Sequence, residues 1–189
     1  RALLLIVELL HYTISMLHAS LSRVLRSSSI SRQQSRLMVT QRLNQVIFTS
    51  ACESMGRVGV VRSEGDSGSN LELKLEKHPS HGGGKGSATN PEELFAAGYS
   101  SCFNGALQHQ AVQHNIPCGP STTTAEVSFG TTDSGVGIAV QLFVKVENVQ
   151  PAVAFQLADL AHAFCPYSKA IDGNIEVLIT SKAVPQRSL

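Results

Sequence analysis

Apolar and polar positions change their period several times along the chain, and each change marks an element. Arg57 to Ser63 reads as a strand, Gly65-Asp66-Ser67-Gly68 as a turn and Leu71 to Leu75 as an alternating strand, which predicts a β-hairpin. His81-Gly82-Gly83-Gly84-Lys85-Gly86-Ser87 must be a loop, because so many glycines carry too much unfolded-state entropy for a regular element. Asn90 then offers an N-cap, Pro91 suits the first helical position, and Glu92 and Glu93 sit where they oppose the dipole. A helix is predicted from there to about His114. Ala125 to Thr131 and Val136 to Val146 nearly alternate on either side of Asp133-Ser134-Gly135, a second hairpin. Val153, Leu157, Leu160, Ala161 and Phe164 recur at helical spacing after Pro151, and Ile175 to Ile179 forms a last strand. The order is two strands, helix, two strands, helix, strand, an α+β arrangement rather than a doubly wound one.

Composition divides the chain. Between Leu9 and Cys52 there is no Asp or Glu, while Arg23, Arg26, Arg32, Arg36 and Arg42 are spaced among Ser, Leu and Gln. Residues 1–45 therefore read as an N-terminal extension of the organelle-targeting kind, with Met16 opening the most presequence-like stretch. A mitochondrial address is expected, with a cytoplasmic one as the alternative. The apolar run Ala2 to Ile14 is shorter than the about 20 residues a membrane span needs. Glu8 within it speaks against a secretory signal. Residues 46–189 suffice for one catalytic domain. A formal charge of +1, 5% aromatics and no Trp give no case for nucleic acid.

Most nucleotide-binding and catalytic motifs are missing from the sequence. Gly84-Lys85 is followed by Gly86, not Ser or Thr, which breaks a P-loop, and Thr89 stands where the dinucleotide fingerprint needs a third glycine. There is no His-Glu-x-x-His, Cys-x-x-Cys or Gly-x-Ser-x-Gly, and the seven histidines suggest no metal ligand set. Four cysteines in a chain this long and apolar fit functional thiols in a reducing compartment better than a disulfide scaffold. From spacing alone, Cys102 and Cys165 suit buried core thiols, Arg57 a solvated side chain on a hairpin, and Glu92 a first-turn acid.

Resemblance changes that balance. The run Asn90-Pro91-Glu92-Glu93-Leu94-Phe95-Ala96-Ala97-Gly98-Tyr99-Ser100-Ser101-Cys102-Phe103, within Gly84 to Leu107, resembles the organic hydroperoxide resistance proteins, the Ohr branch of the Ohr/OsmC family. So does Phe164-Cys165-Pro166-Tyr167-Ser168-Lys169-Ala170 followed by Gly173-Asn174-Ile175-Glu176-Val177. The likeness covers roughly residues 46 to 182.

The resemblance implies an OsmC-like α+β fold, β-hairpins with a central helix carrying the reactive cysteine, in an intertwined homodimer with active sites at the subunit interface. It implies that Cys102 is the peroxidatic thiol, Cys165 the resolving thiol, Glu92 the catalytic carboxylate and Arg57 the catalytic arginine, which in the dimer serves the other subunit's Cys102. The family's Gly-Gly-Arg-Asp-Gly is here Met55-Gly56-Arg57-Val58-Gly59, and Arg62 is the alternative arginine. The implied activity is reduction of alkyl and fatty acid hydroperoxides through a Cys sulfenic acid and an intramolecular disulfide. No bound cofactor or metal is expected. The resemblance implies dihydrolipoamide or a lipoylated protein as the external reductant. Leu94, Phe95, Phe103, Phe164 and Tyr167 are candidates for an apolar substrate pocket. Cys52 and Cys118 match no family role. Two other readings are an OsmC-like peroxidase with a different peroxide preference and a non-catalytic dimeric redox-sensing protein.

The chemistry explains why these residue types belong together. Peroxide reduction needs a thiolate, and a free cysteine of pKa about 8.5 is only partly ionised at neutral pH. A cation lowers that pKa and steadies charge on the departing alkoxide. Cys102 lies too far along its helix for the dipole to serve, so the cation must come from elsewhere, and a carboxylate can hold it in place.

Overall fold

The computed structural model describes residues 43–64 and 70–185. The presequence-like stretch up to Arg42 and the predicted turn Gly65–Gly68 lie outside the described residues. The fold below belongs to the unit Phe48–Leu189.

Among the described residues there are two three-stranded sheets, three α-helices and a short 3-10 helix at Pro79–His81. The first sheet is antiparallel in the order β1 (Ala51–Ser54), β2 (Gly59–Glu64), β3 (Glu72–Leu75). A parallel bridge from Leu75 to Thr89 ties its end to the approach of the long helix α1 (Pro91–Gln113). Asn90 Oδ1 accepts from the Glu93 N–H at 2.8 Å, so the helix starts where a cap and proline placed it.

The second sheet pairs β4 (Ser121–Thr132) and β5 (Gly135–Glu147) antiparallel, with β6 (Val177–Val184) parallel on the far side of β5. A parallel neighbour needs a crossover, here supplied by α2 (Pro151–Phe164) and α3 (Pro166–Ile171). Register puts Ala125, Leu142 and Ile179 in one row and Val127, Val140 and Val177 in another, so one face of the sheet is apolar across all three strands. α1 packs on β4 and α2, and α2 packs on β5 and β6. The core between them holds Tyr99, Phe103, Leu107, Leu142, Val144, Leu157, Ala161 and Cys165. The opposite face carries Glu126, Gln141 and Leu178 side by side.

The elements depart from their predicted bounds for identifiable reasons. β4 starts at Ser121 rather than Ala125, because Ser121 and Thr123 face inward as a polar row. Asn104 of α1 satisfies that row: Ser121 Oγ donates to Asn104 Oδ1 at 2.9 Å, and Asn104 Nδ2 donates to the Ser121 carbonyl at 3.2 Å. β1 is exposed throughout and has no apolar period, so only its pairing with β2 defines it. α3 is six residues long, below the length at which a period can be read.

Candidate active site

Cys102 sits in the middle of α1 and Cys165 at the joint between α2 and α3. Pro166 cannot supply the donor that would continue α2, so the backbone opens at Cys165 to φ −58° and ψ 124°. The opening turns the Cys165 sulfur toward α1. Cys165 is fully buried and Cys102 partly so; both are free thiols, and Cys165 Sγ donates toward Cys102 Sγ at 3.5 Å. A disulfide has sulfurs about 2.05 Å apart, so bond formation needs an approach of only about 1.5 Å.

Arg57 and Glu92 form a second pair. Arg57 Nη2 donates to both Glu92 oxygens, at 2.7 and 2.6 Å. The guanidinium also lies over the Phe129 ring, 5.2 Å from its centroid. Its loop is shaped by Gly56 and Gly59, with φ of 124° and 122°, a region that L side chains rarely enter. The pair lines a cleft of about 640 Å³ whose walls include Val127, Phe129, His78 and His81. Among the described residues, nothing groups three or more His, Cys, Asp or Glu to hold a metal ion.

Within the chain the two pairs are separate. Glu92 and Cys102 are ten positions apart on one helix, about 15 Å along its axis, and neither sulfur lines the cleft. Charge follows this geometry. Burial pushes the Cys102 thiol up; the Tyr167 backbone N–H works against the rise, and Cys165 adds to it because two adjacent sulfurs cannot both ionise. Burial also acts to raise the Glu92 carboxyl, but hydrogen bonds from Arg57, its own backbone and the charges of Arg57 and His81 outweigh it, leaving Glu92 below 4.5. A depressed carboxyl stabilises the fold above 4.5, and that contribution is lost as pH falls through the lowered folded value. In urea titrations, Glu92→Gln is expected to be less stable than the parent at pH 7, with the gap closing below the carboxylate range.

The remaining candidates fall in different places. Phe103 is fully buried in the core, whereas Phe164 and Tyr167 are 41% and 38% exposed. Phe95 packs edge-on against Tyr99 and Tyr167. Phe164 stacks on His109 beneath the Lys169 ammonium. Leu94 is half-buried on α1, and none of the five lines the Arg57 cleft. Phe103→Ala is therefore expected to cost about 3–5 kcal/mol of stability, measured as a shift in urea midpoint. Arg62 is engaged across its own sheet, Nε donating to Glu72 Oε2 at 2.9 Å on an exposed surface, which leaves Arg57 as the arginine of the cleft. Cys52 is exposed on β1, and Cys118 packs half-buried against the core.

Comparison with known proteins places the chain in a family. The family described as OsmC-like protein matches residues 83–180. An organic hydroperoxide resistance protein of Xanthomonas axonopodis pv. citri is 39% identical over 138 residues, 72% of this chain and 95% of that protein. The chain belongs to the Ohr/OsmC family. Organic hydroperoxide resistance protein OhrB of Bacillus subtilis is 45% identical over 96 residues, 50% of this chain and 70% of that one. The crystal structure of an organic hydroperoxide resistance protein from Legionella pneumophila superposes with a TM-score of 0.67 at 35% identity, covering 75% of this chain and all of that one. The α+β fold expected of an Ohr/OsmC protein is the fold found.

Against the Ohr pattern, the loop departs at Met55 and Val58, both exposed, while the two positive-φ glycines and Arg57 remain. Neither Met55 nor Val58 takes a positive φ, so neither side chain strains the turn. Sequence reasoning did not single out Tyr99, Ser168 or Phe129. Tyr99 Oη and Ser168 Oγ share a buried hydrogen bond of 2.9 Å beside the thiols. Tyr99 sits one helical turn before Cys102, a spacing that offered a signal. Phe129 lies on a strand distant in sequence from Arg57 and offered none.

Proposed function

We propose that this Ohr/OsmC protein is a thiol-dependent peroxidase that reduces alkyl and fatty acid hydroperoxides to alcohols. The observation that carries the reading is the pair of free thiols with sulfurs 3.5 Å apart, one partly accessible and one buried behind it. The Cys102 thiolate attacks one peroxide oxygen, the O–O bond breaks, and the alkoxide takes a proton to leave as alcohol, giving a Cys102 sulfenic acid. Cys165 then displaces the hydroxyl as water and closes the disulfide. A lipoyl dithiol, as dihydrolipoamide or on a protein, reopens it by thiol exchange.

The raised Cys102 thiol must meet a cation before it can work at neutral pH. Arg57 supplies it across a homodimer: its protomer's own Cys102 is about 15 Å along α1 from Glu92, so each Arg57–Glu92 pair serves the other subunit's thiol. The fully exposed β1 and the exposed Met55 and Val58 beside Arg57 suit burial against a second copy.

Turnover on cumene or lipid hydroperoxide against hydrogen peroxide, with dihydrolipoamide as reductant, tests the substrate class. Organic hydroperoxides are expected to react faster. Preference for hydrogen peroxide would instead favour an OsmC-like peroxidase of different specificity. The departure of the arginine loop at Met55 and Val58 is what supports the other reading, a non-catalytic redox-sensing protein; sustained turnover with dihydrolipoamide would exclude it.

We further assign the protein to mitochondria, on the acid-free Arg/Ser stretch. A reporter fused to residues 16–45 should localise there, and a cytosolic reporter would overturn the assignment.

A further inference from the structure

The buried face of α1 and the α2–α3 joint are joined by two parallel rungs. One rung is the sulfur pair, Cys102 with Cys165 at 3.5 Å; the other is the hydroxyl pair, Tyr99 with Ser168 at 2.9 Å. Tyr99 and Cys102 are three positions apart on α1, and Cys165 and Ser168 are three apart across the joint, so both rungs link the same two segments. Tyr99 is fully buried and Ser168 is 2% exposed, which makes their hydrogen bond costly to break from one side.

Two further contacts hold the joint. Tyr167 stacks on Tyr99 with centroids 5.8 Å apart and planes 19° apart. Its hydroxyl lies over Gly98, where an added Cβ would come within 2.8 Å of the oxygen. Both contacts tie the α2–α3 joint to α1 beside the hydroxyl rung.

We propose that Tyr99 and Ser168 are positioning residues for disulfide closure, their hydrogen bond setting the race between resolution and over-oxidation. The proposal rests on the peroxidase reading and adds to it what places the resolving thiol. In the productive step, Cys102–SOH and Cys165–SH give the Cys102–Cys165 disulfide and water: an S–S bond forms, the S–O bond breaks, and the Cys165 proton leaves with the hydroxyl. In the competing step, a second hydroperoxide oxidises Cys102–SOH to the sulfinic acid and is itself reduced to alcohol. The competing step needs no Cys165. Misplacing Cys165 slows only the first, because reaction between held groups is sensitive to displacements of the order of 1 Å.

The test compares the parent, Tyr99→Phe, Ser168→Ala and the Tyr99→Phe/Ser168→Ala double variant, all pre-reduced and exposed to increasing cumene hydroperoxide. Intact mass separates disulfide from sulfinic acid. Each variant is expected to reach half over-oxidation at about tenfold lower hydroperoxide than the parent, with disulfide closure slowed far more than the first oxidation. The double variant separates position from stability. It leaves no unpaired buried hydroxyl and so regains stability lost in the single variants. It is expected to remain sensitive to over-oxidation; parental resistance in the double variant would overturn the positioning role, as would parental resistance in both single variants. A parent that forms no Cys102–Cys165 disulfide would instead overturn the peroxidase reading itself.

Discussion

Replacing Cys102 by serine is expected to abolish hydroperoxide consumption, with a loss of about 1,000-fold or more, roughly 4 kcal/mol of barrier. A serine hydroxyl in the same place is almost entirely protonated at neutral pH and is a poor nucleophile toward oxygen. The half-buried position favours a clean result, since serine nearly matches cysteine in size and the Tyr167 backbone N–H can meet its oxygen. Cys165→Ser should behave differently. The first equivalent of hydroperoxide is consumed, but the sulfenic acid persists and moves on to sulfinic acid. A stopped-flow trace with one equivalent, followed by mass analysis, distinguishes the two variants. Undiminished consumption by Cys102→Ser would leave no place for this thiol in the reaction.

Arg57→Ala is expected to lower the second-order rate of Cys102 oxidation by about 100-fold, the usual scale for removing a preorganised charge from a developing anion. It should also raise the apparent thiol pKa, because without the guanidinium the burial that pushes Cys102 up is unopposed except by the Tyr167 N–H. The sign can be read from the pH profile of thiol alkylation, which should move to higher pH. Arg57→Lys should recover part of the rate, an ammonium lacking the planar fork that reaches carboxylate and peroxide together. Mixed dimers decide which subunit's arginine acts. Pairing a Cys102→Ser protomer with an Arg57→Ala protomer places the intact arginine and the intact thiol on different chains. Activity in that dimer follows if the arginine works across the interface; its absence places the arginine with its own thiol.

The fold was legible where residue chemistry is local. Asn90 and Pro91 announce α1, and the alternation of Val140, Leu142, Val144 and Val146 announces the inner face of β5. It was illegible where partners define an element: β1 exists through pairing, and the polar start of β4 is explained by Asn104 on a different element. For the site, spacing treated Cys102 and Cys165 as core residues, and the Cys165 side chain is indeed completely buried. Only resemblance linked two thiols 63 positions apart, and the 3.5 Å separation gives that link a geometry. Arg57 and Glu92, 35 positions apart, meet in the structure but at a distance along α1 from Cys102 of the same chain. On the proposed cross-subunit reading the cation for Cys102 comes from a second copy, and such a charge leaves no trace in the period of this chain.

On the proposed mechanism the Cys102 sulfur takes a peroxide oxygen and loses it as water when the Cys165 sulfur bonds to it. Pre-reduced protein treated with one equivalent of an organic hydroperoxide, alkylated, digested and mapped by mass spectrometry tests it directly. The prediction is a Cys102–Cys165 linked peptide pair in near-stoichiometric yield, with Cys52 and Cys118 still alkylated. Free, alkylated Cys102 and Cys165 after exposure, or a disulfide that engages Cys52 or Cys118 instead, would contradict it.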